Sequence, residues 1–349
     1  MGKRKDEGDM TKGATLVFEN MPYVLSTASV VGQAEGKGPY GAYFDEVVSD
    51  DRLGEKTFEQ GERKMLLRAL GRTVEKVGLP MEEAGCLLAG DLLNQIVTAS
   101  FAARELGIPY LGLYGACSTM TEALLLGSAL IDGGYRQRTL CAASSHFATA
   151  ERQYRFPLEM GTTAPPSAQR TVTGAGAVLL GREPLTHTGF RHIRLEAATI
   201  GTVQDLGITD ANNLGAAMAP AAFDTIQRHL RDRGMQEEDF DWIVTGDLGD
   251  FGSQMLQELS FGEDVDLTDR HLDCGSLIYS PEQNYLCRGS GCGCSAVMLS
   301  SHILPELERG TVKRVLFLST GALMSPLSAC QGESIPGIAH AVSLVHVEE

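Results

Sequence analysis

Apolar residues recur along this chain in two alternating modes. Short runs with few polar interruptions, Ala14–Phe18, Tyr23–Val30, Cys86–Ala89 and Thr139–Ser144, read as strands, as does the small-residue run Thr171–Leu180. Between them the period lengthens to that of a helix. In Phe58–Val77 the residues Met65, Leu66, Ala69, Leu70, Val74 and Val77 share one face, and Gly78 stands ready to end it. Another helix ends near Leu106, with Gly107 just past it. Met120–Ile131 is rich in Ala and Leu and carries one charge, Glu122, which predicts a buried helix. Strands Val315–Ser319 and Ile338–Val347 close the chain. Strands alternating with helices predict a layered α/β fold.

The pattern occurs twice. Trp242-Ile-Val-Thr-Gly-Asp-Leu248 echoes Cys86-Leu-Leu-Ala-Gly-Asp-Leu92, and Gly115–Leu140 aligns without gaps on Gly291–Leu316. Gly90 and Gly246 stand 156 positions apart but Gly115 and Gly291 stand 176 apart, so the second copy carries an insertion, expected within Phe261–Arg288. The expected division is a mobile tail at 1–12, an N-terminal half at 13–185 and a C-terminal half at 186–349.

Composition narrows the function. A net charge of −16 argues against nucleic acid and against holding an anionic membrane by charge alone. The N-terminus lacks the apolar run of a signal peptide, so the eight cysteines are expected as reduced thiols. Cys287, Cys292 and Cys294 cluster without zinc-site spacing, and no metal is expected. Gly174-Ala-Gly176 resembles half of a dinucleotide fingerprint, but no third glycine, helix or spaced acid follows, so no nucleotide is expected.

The chemistry centres on Tyr110–Thr119. An apolar run, expected to be a buried strand, ends at Gly115, and Cys117 opens the buried helix. A strand, tight turn and helix of this kind displays a nucleophile, and the N–H groups of a helix start favour a thiolate or a bound anion. The bland alternative is a small buried cysteine in a packed turn. Asp91 and Asp247 are expected to cap the helices that follow them.

A duplicated α/β chain with a cysteine at this place resembles the thiolase-like group, which includes the thiolases and ketoacyl synthases. The C-terminal third is similar to the closing segment of a ketoacyl synthase of the III type. The resemblance implies two related halves in a five-layered α-β-α-β-α architecture. Seven phrases carry a closer likeness: Leu87-Leu-Ala-Gly-Asp-Leu-Leu-Asn-Gln95, Gly115-Ala-Cys-Ser-Thr119, Ser144-Ser-His146, Ala150-Glu-Arg-Gln153, Asp205-Leu-Gly-Ile-Thr-Asp210, Ala217-Met-Ala-Pro-Ala221 and Gly289-Ser-Gly-Cys292. Together they resemble the stage V sporulation AD family, from about Thr15 to Val347. That likeness implies binding of dipicolinic acid and a part in its uptake into the developing spore. It also implies a cytoplasmic protein peripheral to the spore inner membrane, partnered by membrane proteins of the SpoVA set. A homodimer is expected by analogy with related folds.

The departures from the condensing enzymes bear on activity. There a histidine follows the first strand of the second half, and an asparagine or second histidine opens its buried helix. Here those places fall near Gly246 and Gly293, whose side chains handle no proton. The expectation is therefore a binding protein without catalytic residues or a cofactor, whose ligand is dipicolinate as free acid or calcium chelate. The alternative is a Cys117-dependent acyltransferase partnered by His146 or His340. The residues expected around the ligand are Cys117, Ser118, Ser145, His146, Arg152, Ser290, Cys292 and His340. Each has a plainer alternative: His146 as a capped strand-end histidine, His340 as core, and Arg152 and Arg155 as surface ion-pair formers.

Overall fold

The computed structural model describes residues 13–154, 165–185, 190–263 and 265–348. The expected tail at 1–12 lies outside them, as do Arg155 and residues 186–189 at the expected boundary between halves. The first half contributes strands β1 (Tyr23–Val31), β2 (Leu87–Gly90), β3 (Tyr110–Gly112), β4 (Arg138–Ser145) and β5 (Gly174–Gly181). The second contributes β6 (Ile193–Thr199), β7 (Trp242–Thr245), β8 (His271–Asp273), β9 (Arg314–Ala322) and β10 (Gly337–His346). They hydrogen-bond in the order β8-β7-β9-β10-β6-β1-β5-β4-β2-β3, joined where Tyr23 pairs with Arg194.

Reading outward from that join, each half repeats the other. β5 and β10 lie antiparallel to both neighbours, and the two outer pairings are parallel. The inferred repeat is thus a repeat of topology. Most of the insertion follows β8: it is the short helix Cys274–Ile278 and the turn leading to Gly289.

The apolar runs are buried on both faces, as parallel strands covered by helices require. Along β2, Leu87 and Ala89 pack outward on helices α1 (Phe58–Glu75) and α2 (Val97–Leu106), while Leu88 packs inward. Along β9, Leu316 and Leu318 face α5 (Leu214–Arg233) and α6 (Gly249–Phe261), while Val315 and Phe317 face inward. Between the two halves of that sheet lie α3 (Thr119–Asp132) and α7 (Cys292–Met298), carrying Met120, Leu124, Val297 and Met298, and α4 (Phe147–Tyr154) follows β4. A fully buried side chain such as Leu88 or Phe317 contributes about 2 kcal/mol. The five layers are those expected of a thiolase-like fold.

Local chemistry explains several boundaries. Thr57 caps α1 by accepting the Gln60 N–H at 3.2 Å, and Gly78 takes a positive φ beyond its end. Gly107 ends α2 in the left-handed conformation. Gly176 is glycine because a Cβ there would stand 2.3 Å from the carbonyl of Ala296, so α7 rides directly on β5. The half-fingerprint at Gly174–Gly176 is therefore a packing feature. Two expectations change. Leu214–Arg233 is a helix where the pattern assigns none, because its Ala-rich face and Pro220 conceal the period. The run Tyr110–Leu113 is no buried strand: β3 is the sheet's edge, with Leu111 46% and Tyr114 50% exposed. Among the described residues, no helix is long and apolar enough to cross a membrane.

Candidate functional site

Cys117 lies where α3 begins, in a turn tightened by Ala116, whose φ of 50° is unusual for an L side chain. Ser118 Oγ donates to the Gly115 carbonyl at 2.6 Å and Thr119 Oγ1 to that of Ala116 at 2.7 Å, which fixes the turn. Beside the thiol stands the carboxylate of Asp247, delivered from the second half just after β7. Burial, and then the charge of Asp247, push the Cys117 thiol well above the usual range. These surroundings oppose the pull of the helix start toward a thiolate.

Asp247 is the hub. Fully buried, it accepts from Thr320 Oγ1 at 2.7 Å, Gly291 N at 2.8 Å and Ser290 Oγ at 3.1 Å. Burial raises its pKa while these donors pull it down. Its expected role as helix cap is not what it does. Asp273 caps α6 instead, accepting from Leu248 N at 2.8 Å and Gly249 N at 2.9 Å. Asp91 does serve its helix, accepting from Ala99 N in the first turn of α2 at 2.8 Å.

A narrow cleft of about 520 Å³, mouth included, opens beside Cys117. Leu92, Cys117, Glu151, Tyr154, Ser290 and Met324 are among its walls. Of the eight expected ligand residues, Cys117 and Ser290 meet here, linked through Asp247. The other six do not line it. The Ser118 hydroxyl is spent on the turn. Ser145 Oγ donates to Val172 O at 2.7 Å and accepts Gly293 N at 3.1 Å, tying β4 to α7. Cys292, fully buried, donates its thiol to Ser144 O at 2.9 Å. His146 is a capping histidine: Nδ1 accepts the Ala148 N–H and Nε2 donates to Asp51 O, both at 3.1 Å. His340 accepts Gly201 N at 3.1 Å, and burial brings its pKa down to about 4. Arg152 is exposed and lies over the Phe58 ring. Neither His146 nor His340 is placed as a partner of the thiol.

The two glycines are more than missing side chains. A Cβ on Gly293 would stand 2.5 Å from Gly174 O and 2.6 Å from Ser145 Oγ. One on Gly246 would stand 3.0 Å from the Ser295 Cβ and 3.1 Å from the Ser319 Cα. Neighbouring atoms occupy the space that an imidazole or carboxamide would need. The residues missed by sequence reasoning are Asp247 in its actual role, Thr320, Glu151 and Tyr154. The one available signal was the Gly-Asp-Leu repeat, where in the second copy β8 ends on an aspartate, Asp273, able to take over the cap.

Known proteins bear on both the fold and the family. Cerulenin-bound OleA of Xanthomonas campestris superposes with a TM-score of 0.61 at 15% identity, over 96% of this chain and 99% of that one. The 3-oxoacyl-(acyl-carrier-protein) synthase III of Aquifex aeolicus VF5 gives 0.54 at 12% identity, over 93% and 100%. These likenesses establish a thiolase-like fold. The stage V sporulation protein AD of Bacillus subtilis (strain 168) is 44% identical over 333 residues, covering 95% of this chain and 97% of the relative. The family model for stage V sporulation protein AD matches residues 12–345. The chain belongs to the stage V sporulation protein AD family.

Proposed function

We propose that this protein binds dipicolinate in the Cys117 cleft and serves its uptake into the developing spore. It would act from the cytoplasmic side, peripheral to the spore inner membrane, beside membrane proteins of the SpoVA set. It is not a condensing enzyme in this reading. The observation that carries it is a cleft beside the buried Cys117 in which neighbouring atoms fill the space at Gly246 and Gly293 where a condensing enzyme keeps its proton-handling side chains. Membership of a sporulation family supports the biological setting.

Charge favours the calcium chelate. Asp247 stands behind Cys117 and Ser290, so a bare dianion meets a buried carboxylate. The chelate is neutral, and its flat ring suits walls such as Leu92, Tyr154 and Met324. Calorimetric titration with dipicolinate tests this, once with calcium and once with chelator. Binding with calcium and at least tenfold weaker binding without it is expected. No heat in either arm, with the protein folded, sinks the proposal. We also propose a homodimer through the edge of β3, where Leu111, Tyr114 and the neighbouring Phe101 of α2 are exposed. Sedimentation velocity of the intact chain reads this directly.

One observation favours a second reading. Asp247 is placed to take the Cys117 proton as the sulfur attacks a thioester carbonyl, and to return it to the departing coenzyme A thiol. An acyl adduct on Cys117 after incubation with acyl-coenzyme A would support it. Unmodified protein across several thioesters would remove it.

A further inference from the structure

β9 and β10 run side by side from the Cys117 cleft, where Ala322 pairs with Gly337, to the far end of the sheet, where Arg314 pairs with Val345. β10 has 10 residues, which sets the two ends roughly 30 Å apart. At the far end three segments meet: the approach to β6 at His192, the end of β10 at His346, and the end of the helical run 292–308. We propose that His192 and His346 together bind a divalent transition-metal ion such as zinc.

The two rings lie with centroids 5.2 Å apart and planes inclined by 30°. Each Nδ1 is committed. His192 Nδ1 donates to Glu308 Oε1 at 2.9 Å, and His346 Nδ1 donates to Leu307 O at 2.7 Å. A carboxylate or a carbonyl only accepts, so in each neutral ring the proton sits on Nδ1 and the lone pair on Nε2. Neither Nε2 has a hydrogen-bond partner among the described residues. An imidazole whose Nδ1–H is held by a carboxylate or a backbone carbonyl is arranged as metal-ligating histidines are, with ring orientation and tautomer set before the ion arrives. With Nε2–metal bonds of about 2.0 Å, two rings on one tetrahedral ion have centroids about 5 Å apart, which is close to the spacing here.

Glu308 is itself fixed: Oε1 also accepts Arg191 N at 3.0 Å, and Oε2 accepts His192 N at 3.1 Å. It therefore orients the ring of His192. The carbonyl end of the helical run carries partial negative charge, which favours a cation. Lys313 opposes one. A Cβ on Gly310 would stand 3.3 Å from both His346 Nε2 and Lys313 Nζ, so the ammonium is close at hand. It is exposed and paired with Glu348 Oε1 at 3.0 Å, and its long stem lets it turn away into solvent. Among the described residues no three His, Cys, Asp or Glu side chains gather to hold an ion, so water completes the coordination shell. Two imidazoles select zinc over calcium, which prefers oxygen. The bound ion ties the last strand to the start of β6.

The site stands apart from the Cys117 cleft, and its test leaves that cleft untouched. Zinc chloride is titrated calorimetrically into the intact protein, into His192→Asn, into His346→Gln and into Cys330→Ser, which removes the exposed thiol. One zinc per chain is expected in the intact protein and in Cys330→Ser, with binding at least tenfold weaker in each histidine variant. Zinc should raise the melting temperature of the intact protein and leave that of the histidine variants unchanged. Should those variants not fold, crystals of the intact protein soaked in zinc chloride decide, with the anomalous peak expected between His192 and His346. The proposal is overturned by an intact protein that binds no zinc, by binding unchanged in either histidine variant, or by binding lost in Cys330→Ser. Displacement of zinc by equimolar calcium, or an anomalous peak only at other side chains, also overturns it.

Discussion

The phrase Gly-Asp-Leu stands after the same strand in both halves and does different work in each. In the first half Asp91 stays local and holds the start of α2 through Leu93 N and Ala99 N. In the second half Asp247 crosses to the other half's cysteine, and Asp273 serves the helix instead. The difference traces to the end of the neighbouring strand, where β8 closes on Asp273 and β3 on Gly112. Only the second copy has a substitute cap at that strand end, and Ser290 and Gly291 give two more donors to the released carboxylate. The two copies hold equal positions, and a new aspartate at one strand end frees one of them to build a site.

The strongest way to break this comparison is to remove the released carboxylate. Asp247→Ala leaves Thr320 Oγ1, Ser290 Oγ and Gly291 N buried without an acceptor, and a cost of about 3 kcal/mol is expected. Asp91→Ala removes the acceptor of two backbone groups and should cost about 1–2 kcal/mol, partly offset by relief of Glu62. Urea unfolding of both variants measures the difference. Equal losses would mean that the two aspartates still do equivalent work.

The equivalent helix starts differ too. Cys117 has room for its sulfur, whereas Gly293 has none for a Cβ. Gly293→Ala should therefore destabilise by about 2–3 kcal/mol, and Gly246→Ala by about 1. Thermal unfolding gives the ranking. If Gly293→Ala is neutral, the glycine marks lost catalysis without a packing cause.

These contrasts show what could be read from residues alone. The doubled topology was legible because alternation and turn chemistry are local: Gly78, Gly107 and the apolar faces of Phe58–Glu75 mean the same thing in any tertiary setting. The site was legible only at its centre. Cys117 and Ser290 are tied to their turns, but their meeting depends on a carboxylate from a third segment. His146 misled because a strand-end histidine offers the same two nitrogens to a ligand or to Ala148 N and Asp51 O. The edge position of β3 was hidden because an apolar run reads alike whether its face is covered by the same chain or left open.

Behind the first half's aspartate lies Glu62, buried on α1 with Ser144 Oγ at 3.0 Å and Thr149 Oγ1 at 2.9 Å. Burial, reinforced by the charge of Asp91, pushes it up to about 8 from 4.5, and burial pushes Asp91 to about 6 from 3.8. Both are raised, so the fold favours their protonated forms. The stability this confers is complete below the ordinary carboxylate range, about pH 4, and is lost as pH rises through 6 and then 8. The second half's cap, Asp273, is raised to about 7 and adds to the same slope. Glu62→Gln keeps a hydrogen-bonding group and removes the charge. Its melting temperature should exceed that of the parent by a few degrees at pH 9 and match it at pH 5. A constant difference at every pH would show that Glu62 does not titrate in this range, and would leave Asp273 and Asp91 to account for any decline.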